Sequence, residues 1–339
     1  MRGRVVLSLV GTLLFCLLTV VAGASFGSVS LAFADVFRAL ATFRPPGADD
    51  LVWTIVWQIR MPRIVLAFFV GGGLAIVGVA MQALVRNPLA EPYILGISGG
   101  ASAGASLFYL GFLPPIIART VSMPIAAFAG GLASIMLVYA VARSRSHVSV
   151  TRLLLAGVAI SALMGAITAF VTFASPDPDR LRAVLFWLMG SFSGSRWAMI
   201  PLPVVVSVSG LVALLGIART LDAFLLGEER AWNLGVPVEM LKKFLLVLAA
   251  LVTGPLVAAV GAIGFVGLII PHIVRMLIGV SHRALLLVSF ILGGTFLIWA
   301  DTAARSIVPG QELPVGILTA LCGVPFFLWL LRDRSYQFG

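Results

Sequence analysis

Residues 244–280 read FLLVLAALVTGPLVAAVGAIGFVGLIIPHIVRMLIGV, an apolar run of 37 residues. As a single α-helix this run would be about 55 Å long, whereas the hydrocarbon core of a bilayer is about 30 Å thick and needs about 20 helical residues. The run is therefore too long for one crossing. Because Gly261 and Gly264 interrupt it, we predict two membrane spans, over residues 244–261 and 262–280.

The whole chain shares the apolar character of this stretch. Of its 339 residues, 60% are hydrophobic and 11% are charged, and the mean hydropathy is +1.11. An ordinary soluble domain has about 25% charged residues, and a soluble core could not bury so much apolar surface. The composition predicts a polytopic membrane protein. It excludes a soluble enzyme, a secreted disulfide scaffold and a nucleic-acid-binding module.

Apolar runs between polar breaks predict an all-α protein with about ten transmembrane helices. The predicted spans are 5–24, 62–84, 93–112, 122–142, 153–174, 198–217, 244–261, 262–280, 284–300 and 315–331. Ten spans divide into two halves of five, and an odd number of spans in each half inverts the second half, as is common in transporters. We predict one transmembrane domain over residues 1–339, built from two five-helix inverted halves.

The distribution of basic residues orients the chain. With the N-terminus in the cytoplasm, 14 of the 23 Lys and Arg residues lie on the cytoplasmic side, in agreement with the positive-inside rule. Both termini are then cytoplasmic. The first span ends in Ala22-Gly23-Ala24, which resembles a signal-peptidase site, but its uncharged run of 20 residues exceeds the about 7–15 of a signal-peptide core. We favour a retained first helix over a cleaved leader.

Three connections are too long to be simple turns. Segments 25–61 and 175–197 are predicted to lie on the periplasmic side, with an amphipathic helix near 31–43 and a short helix near 183–187. Segment 219–243 is predicted to lie on the cytoplasmic side. It is rich in charged residues, and we expect it to be the surface on which a cytoplasmic partner docks.

Motifs for covalent chemistry are absent from the sequence. It contains no Walker A or His-Glu-x-x-His pattern. Two cysteines in apolar runs and three scattered histidines predict neither a disulfide nor a metal site. Only Asp301 and Arg305 are predicted as ionisable groups within the spans, which disfavours an ion-coupled secondary transporter. That carrier and a membrane-embedded enzyme remain the alternatives to a transporter whose energy comes from a separate subunit.

Three stretches carry a family resemblance. They are Trp57–Arg63 (WQIRMPR) followed by Met81–Pro92 (MQALVRNPLAEP) and Leu95–Ala101 (LGISGGA); Thr151–Ala159 (TRLLLAGVA); and Gly261–His272 (GAIGFVGLIIPH) completed by Glu312–Gly316 (ELPVG). Together, in this order and over nearly the whole chain, they resemble the membrane subunits of bacterial type II ABC importers, the FecCD family of ferric-siderophore, haem and vitamin B12 permeases. Within that family the Trp-Gln-Ile-Arg and Leu-Ala-Glu-Pro segments are most similar to the vitamin B12 permeases.

The resemblance implies a homodimer of ten-helix subunits in the bacterial inner membrane, with the translocation path along the dimer axis. It also implies two cytoplasmic ABC ATPase subunits, which bind ATP and magnesium, and a periplasmic or lipid-anchored substrate-binding protein. This chain itself would bind no cofactor and no nucleic acid. It would pass a large metal chelate from the binding protein to the cytoplasm by alternating access, and ferric siderophores, corrinoids and haem all stay open as the cargo.

By the same resemblance, Arg60, Arg63 and Arg305 contact the binding protein. Basic groups at an outer face would attract an acidic lobe and fix its register. The alternative role for Arg60 and Arg63 is anchoring at the membrane interface. For Arg305 it is a local pair with Asp301, one helical turn away.

The resemblance also predicts a cytoplasmic gate formed by Asn87, Leu89, Val150 and Thr151, in the turns after the second span and before the fifth. Val150 stands where the vitamin B12 permeases have a hydroxyl residue, which implies a more apolar seal. The alternative for Asn87-Pro88 is simple helix termination.

The resemblance also implies a coupling helix for the ATPase, and two glycines of segment 219–243 bracket the stretch that matches it. The predicted coupling residues are Leu226, Gly227, Glu228, Glu229, Arg230, Ala231, Leu234 and Gly235. The alternative is a solvated loop, although a charged segment of this length rarely lacks a role in a chain with few loops.

Overall fold

The computed structural model describes residues 2–42, 50–144, 147–308 and 310–332. These residues form fifteen helices and one short hairpin, in which β1 (Arg143–Ser144) pairs antiparallel with β2 (His147–Val148). The helices are α1 (Arg2–Ser25), α2 (Phe33–Ala41), α3 (Leu51–Val85), α4 (Ile97–Tyr109), α5 (Pro115–Ala118), α6 (Met123–Ala142), α7 (Val150–Phe173), α8 (Pro178–Leu188), α9 (Pro201–Gly216), α10 (Ala218–Phe224), α11 (Glu228–Asn233), α12 (Val238–Val260), α13 (Val266–Ile278), α14 (His282–Ala304) and α15 (Val315–Arg332).

Each of the ten predicted spans contains a helix, so the all-α polytopic architecture is confirmed. Within the described residues, seven helices are long and apolar enough to cross a membrane, namely α1, α3, α6, α7, α9 with the turn before it, α12 and α14. The predicted break in the 37-residue run is also confirmed, because α12 ends at Val260 and α13 begins at Val266.

The third helix in each predicted half is shortened. Helices α4 and α13 have 13 residues each, about 20 Å at 1.5 Å per residue. Each begins directly after a residue in the left-handed region, Gly96 at φ +78° and Phe265 at φ +70°. The segments that lead into them meet, since the hydroxyl of Tyr93 donates to the carbonyl of Ile263 at 2.8 Å. Broken helices at matching places are typical of inverted repeats, and this match supports two halves of five.

Helix α3 is the most buried of the long helices and lies at the centre of the subunit. It packs against α14, α9, α12 and α13, and glycines allow the close approach. A Cβ on Gly71 would lie 2.2 Å from the carbonyl oxygen of Gly293, and one on Gly78 would lie 2.0 Å from that of Gly267. In a membrane, where the hydrophobic effect does not drive helices together, such close backbone packing is a principal source of association.

Several predicted boundaries were wrong, including the start of the second span and the end of the ninth. The second span, predicted from residue 62, belongs to a helix that begins at Leu51. Proline lacks an N–H and clashes with the carbonyl four residues earlier, which normally interrupts a helix. Here a π-helical stretch over Ile55–Arg60 precedes Pro62 and keeps the helix continuous. At the end of this stretch the N–H of Met61 donates to the carbonyl of Val56. The ninth span, predicted to end at residue 300, continues to Ala304 in α14.

The predicted helices of the connections are present. Helix α2 occupies the amphipathic stretch predicted near 31–43, although residue 43 and part of segment 25–61 lie outside the described residues. Helix α8 occupies the stretch predicted near 183–187. Segment 219–243 contains most of α10, all of α11 and the start of α12.

Candidate functional site

At the end of the subunit predicted to be external, a buried ionic cluster joins three elements. Arg63 on α3 donates to Asp301 on α14 at 2.7 Å and to Glu312, in the connection after α14, at 2.8 Å. Arg63 and Asp301 are almost completely buried, whereas the Glu312 side chain is 37% exposed. Charge-assisted contacts of this kind are stronger than neutral hydrogen bonds, so the cluster holds α3, α14 and the following connection together.

The other two arginines, Arg60 and Arg305, donate hydrogen bonds to the last backbone carbonyls of α1. The last carbonyls of a helix have no partner within the helix and need donors from elsewhere. Arg60 donates to the carbonyl oxygens of Ala24 and Ser25, and Arg305 donates to that of Gly23. Positive charge at a helix C-terminus also interacts favourably with the helix dipole. The two guanidinium groups therefore fasten α1 to α3 and α14.

The structure thus brings the three predicted docking arginines together, but it buries them. Arg60, Arg63 and Arg305 are each 5% exposed or less, and all lie within or at the end of helices rather than on an open face. The alternative pair of Arg305 with Asp301 is present, with 3.4 Å between Nε and Oδ2. The docking role stays a prediction, and it now requires Arg63 to exchange an internal partner.

The four predicted gate residues lie at helix ends on the opposite side of the subunit. After α3, Arg86 adopts a left-handed conformation at φ +53°, and the side chain of Asn87 accepts the backbone N–H of Leu89 at 2.9 Å. This geometry is the helix-terminating turn given above as the alternative. Val150 and Thr151 were predicted to lie in a turn but are the first two residues of α7. All four are at least partly exposed, so a second subunit could reach them.

A short helix is present where the coupling helix was predicted. Helix α11 is bracketed by Gly227 at φ +107° and Gly235 at φ +85°, backbone conformations that favour glycine. Ala231 is completely buried and packs the helix onto the subunit. Leu226 and Leu234, by contrast, are more than half exposed.

The outward side of this short helix is both apolar and charged. Trp232, a residue that the sequence analysis did not select, is 68% exposed. Together with Leu226 and Leu234 it forms an exposed apolar group, beside the exposed Glu229 and Arg230. Large apolar side chains that lie together on a polar surface are typical of a protein interface.

Ion pairs connect this helix to the predicted gate. The carboxylate of Glu228 lies 2.6 Å from the buried ammonium group of Lys242 and 3.7 Å from the guanidinium group of Arg86. Lys242 also pairs with Glu239 at 3.1 Å. Because Arg86 directly precedes Asn87, Glu228 links the start of α11 to the turn that contains the gate residues.

Sequence reasoning missed several buried or partly buried ionisable groups. Glu91 is partly buried, and its carboxylate accepts the backbone N–H of Phe265, so it joins the two broken segments. Lys242 and Arg275 are buried as well. The statement that only Asp301 and Arg305 lie within the spans was therefore incomplete. The Leu-Ala-Glu-Pro motif contained the signal for Glu91, but it served only as a mark of the family.

Comparison with known proteins identifies the fold and the family. The model of the FecCD transport family matches residues 13–333. The chain belongs to the FecCD transport family. It is 46% identical over 291 residues to the cobalamin import system permease protein BtuC of Halobacterium salinarum, which covers 86% of this chain and 77% of that protein. It is 41% identical over 346 residues to the hemin transport system permease protein HmuU of Yersinia pestis, which covers 100% of both.

A solved structure supports the same assignment. An inward-facing conformation of a proposed metal-chelate type ABC transporter superposes with a TM-score of 0.82 at 32% identity, over 95% of this chain and 98% of that chain. The FecCD chain described here is therefore a multi-pass membrane protein of the ABC-transporter permease type. The resemblance predicted from the three sequence stretches is confirmed.

Proposed function

We propose that this FecCD permease is the membrane subunit of an ATP-driven importer that moves a large metal chelate into the cytoplasm by alternating access. The relatives named for cobalamin and hemin, and the metal-chelate type structure, support this class of cargo. A ferric siderophore, a corrinoid and haem all fit the proposal. The working complex would be a homodimer in the bacterial inner membrane, with both termini in the cytoplasm.

The observation that carries the proposal is the exposed apolar group on α11. This helix of six residues lies outside the spans, and Trp232 and the adjacent Leu234 are exposed. Exposed large apolar side chains of this kind are typical of a surface that a partner protein covers. A groove on a cytoplasmic ATPase subunit would cover these side chains. Two such subunits would bind ATP and magnesium, and this chain would contribute no catalytic residue.

The ion pairs of Glu228 suggest how the motion passes to the gate. When ATP binding moves the ATPase subunits, α11 would move with them. The Glu228–Arg86 pair would then pull on the turn that contains Asn87 and Leu89. In a homodimer these residues, with Val150 and Thr151, would meet their counterparts across the two-fold axis and open or close the path.

On the outer side, we propose that Arg60, Arg63 and Arg305 lie beneath the docking site of the substrate-binding protein. Arg63 is the member that a partner can reach, since its partner Glu312 is 37% exposed. An acidic group of the binding protein would replace Glu312 on the guanidinium group. Arg60 and Arg305 would hold the end of α1 in place during this exchange.

The Glu312→Gln variant is expected to bind the binding protein about fivefold more tightly at low salt. The reason is that it removes the internal competitor for Arg63, and an ion pair of this exposure is worth about 1 kcal/mol. Affinity would be measured by surface plasmon resonance on the assembled transporter at several salt concentrations. Asp35→Asn, which changes an acid paired with Arg38 on the same side, is the control. Unchanged or weaker binding by Glu312→Gln would contradict the exchange.

Uptake into proteoliposomes tests the function as a whole. The liposomes would contain this chain with its ATPase, with the binding protein outside, and labelled corrinoid, haem and ferric siderophore would be offered with and without internal ATP. ATP-dependent entry of any of the three supports the proposal and identifies the cargo. Entry that persists without ATP and follows an ion gradient would overturn it in favour of an ion-coupled secondary transporter.

The Glu228→Gln variant is expected to lower uptake per ATP hydrolysed at least tenfold while the ATPase stays bound. It removes the pairs with Arg86 and Lys242 and leaves the exposed apolar group of α11 intact. Trp232→Asp should instead release the ATPase, as detected by co-purification. Asp179→Asn, the same type of change at an exposed site on the opposite side, controls for loss of charge. Normal coupling in Glu228→Gln would exclude this residue as the link.

A further inference from the structure

A groove on the outside of the helix bundle has the shape and charge of a lipid-binding site. It lies between α6 and α12 and has a volume of about 390 Å³. Its walls are almost entirely apolar and include Leu132, Met136, Val247 and Leu251. The two amphipathic residues of its lining, Tyr139 and Lys243, both lie at one end.

The length of the groove matches one leaflet of a bilayer. Lys243 and Leu251 are eight residues apart on α12, which corresponds to about 12 Å along the helix. Half the hydrocarbon thickness of a bilayer is about 15 Å. With Lys243 at the headgroup level, the groove therefore ends near the bilayer centre. Lys243 is the last residue of segment 219–243, which is predicted to lie on the cytoplasmic side, so the leaflet is the cytoplasmic one.

The charge at the open end favours an anionic headgroup. Lys243 is exposed, and within the described residues no carboxylate forms an ion pair with it. Its neighbour Lys242 differs, since that side chain is buried against Glu228 and Glu239. A second exposed cation, Arg143, lies at the same end, because β1 pairs with β2 and β2 packs against α12. Basic groups beside clefts between helices on the cytoplasmic side typically bind acidic lipid headgroups.

We propose that this groove binds an anionic glycerophospholipid of the cytoplasmic leaflet. One acyl chain lies against Leu132, Met136 and Leu251, and the phosphate group lies between Lys243 and Arg143. Tyr139 lies at the level of the glycerol backbone, where amphipathic aromatic rings are favoured. The site depends on the groove alone and is independent of the cargo and of the proposed coupling mechanism.

Lipid retention by the purified full-length chain tests this site. Native mass spectrometry would compare the retained phosphatidylglycerol and phosphatidylcholine after exposure to an equimolar mixture. The wild-type chain is expected to retain phosphatidylglycerol preferentially. Lys243→Gln should lower that preference about fivefold, because each cation near the headgroups contributes about 1 kcal/mol. Adding Arg143→Gln should lower it further by a similar factor.

Two matched controls separate a built site from general surface charge. Arg283→Gln removes an exposed cation at the end of α14, on the same side of the membrane but outside the groove. It should leave the preference unchanged. Val247→Trp fills the groove without changing charge and should reduce retention of both lipids, whereas Val205→Trp, at a similarly exposed position on α9, should not.

Several results would overturn the proposal. Equal retention of the two lipids by the wild-type chain would exclude selectivity for an anionic headgroup. An equal effect of Arg283→Gln and Lys243→Gln would show a general attraction to the surface, and full retention by Val247→Trp would place the lipid elsewhere. Displacement of the lipid by excess inorganic phosphate would show that the cations bind a free anion.

Discussion

Replacing Arg63 with leucine is expected to lower the free energy of unfolding by about 3 kcal/mol. Removing one member of a buried ion pair typically costs about 3–5 kcal/mol, since the other charge remains buried without compensation. Asp301, with only 2% of its side chain exposed, is the group left in this position. The loss should fall at the low end of the range because Arg305 stays 3.4 Å from Asp301 and Glu312 can turn towards water.

The measurement is unfolding of the purified chain in mixed micelles with increasing denaturing detergent. Arg38→Leu is the matched control, because it removes an exposed arginine from a 3.8 Å pair with Asp35 and should cost less than about 1 kcal/mol. Combining Arg63→Leu with Asp301→Asn and Glu312→Gln should restore much of the stability, since no buried charge is then unpaired. A loss in Arg63→Leu no larger than in Arg38→Leu would show that the cluster does not stabilise the fold.

This cluster also shows where sequence reasoning reached its limit. The pair of Arg305 with Asp301 could be predicted, because four residues along a helix bring two side chains to one face. Arg63 and Glu312 are 249 positions apart, and their contact exists only because α3 and α14 pack together. The burial of all three arginines follows from the same packing, so a role implied by the family resemblance could not reveal it.

The spans themselves were predictable because they depend on local properties. The length and hydropathy of the apolar runs located a helix in each of the ten predicted spans, and the glycines around residue 261 marked the break between α12 and α13. The start of α3 was missed, since Pro62 normally indicates a first turn and the π-helical stretch before it has no sequence mark. The short helix α11 could be placed because Gly227 and Gly235 bracket it, which is also a local signal. Its coupling role rests on the family resemblance and stays a prediction.

The Gly78→Ala variant is expected to destabilise the chain by about 2 kcal/mol, although alanine is the better helix former. In an exposed helix, alanine in place of glycine would gain about 1 kcal/mol. At this position the new Cβ would lie 2.0 Å from the carbonyl oxygen of Gly267 and 2.5 Å from its Cα. Both are backbone atoms, so no rotamer change can relieve the clash. Overpacking of this kind costs about 1–3 kcal/mol or more, which outweighs the gain in helix propensity.

The same substitution at Gly11 should not destabilise the chain. Gly11 lies in α1, and a Cβ there would meet no atom within 4 Å, so Gly11→Ala should leave stability unchanged or raise it slightly. Both variants would be compared by thermal unfolding in detergent and by the folded yield in membranes. Since Gly267 lies two residues after Phe265, displacement of α13 in Gly78→Ala should also disturb the contacts of Glu91 and Tyr93 with the second broken segment. Equal stability of the two variants would mean that α3 and α13 do not approach as closely as the glycine contacts require.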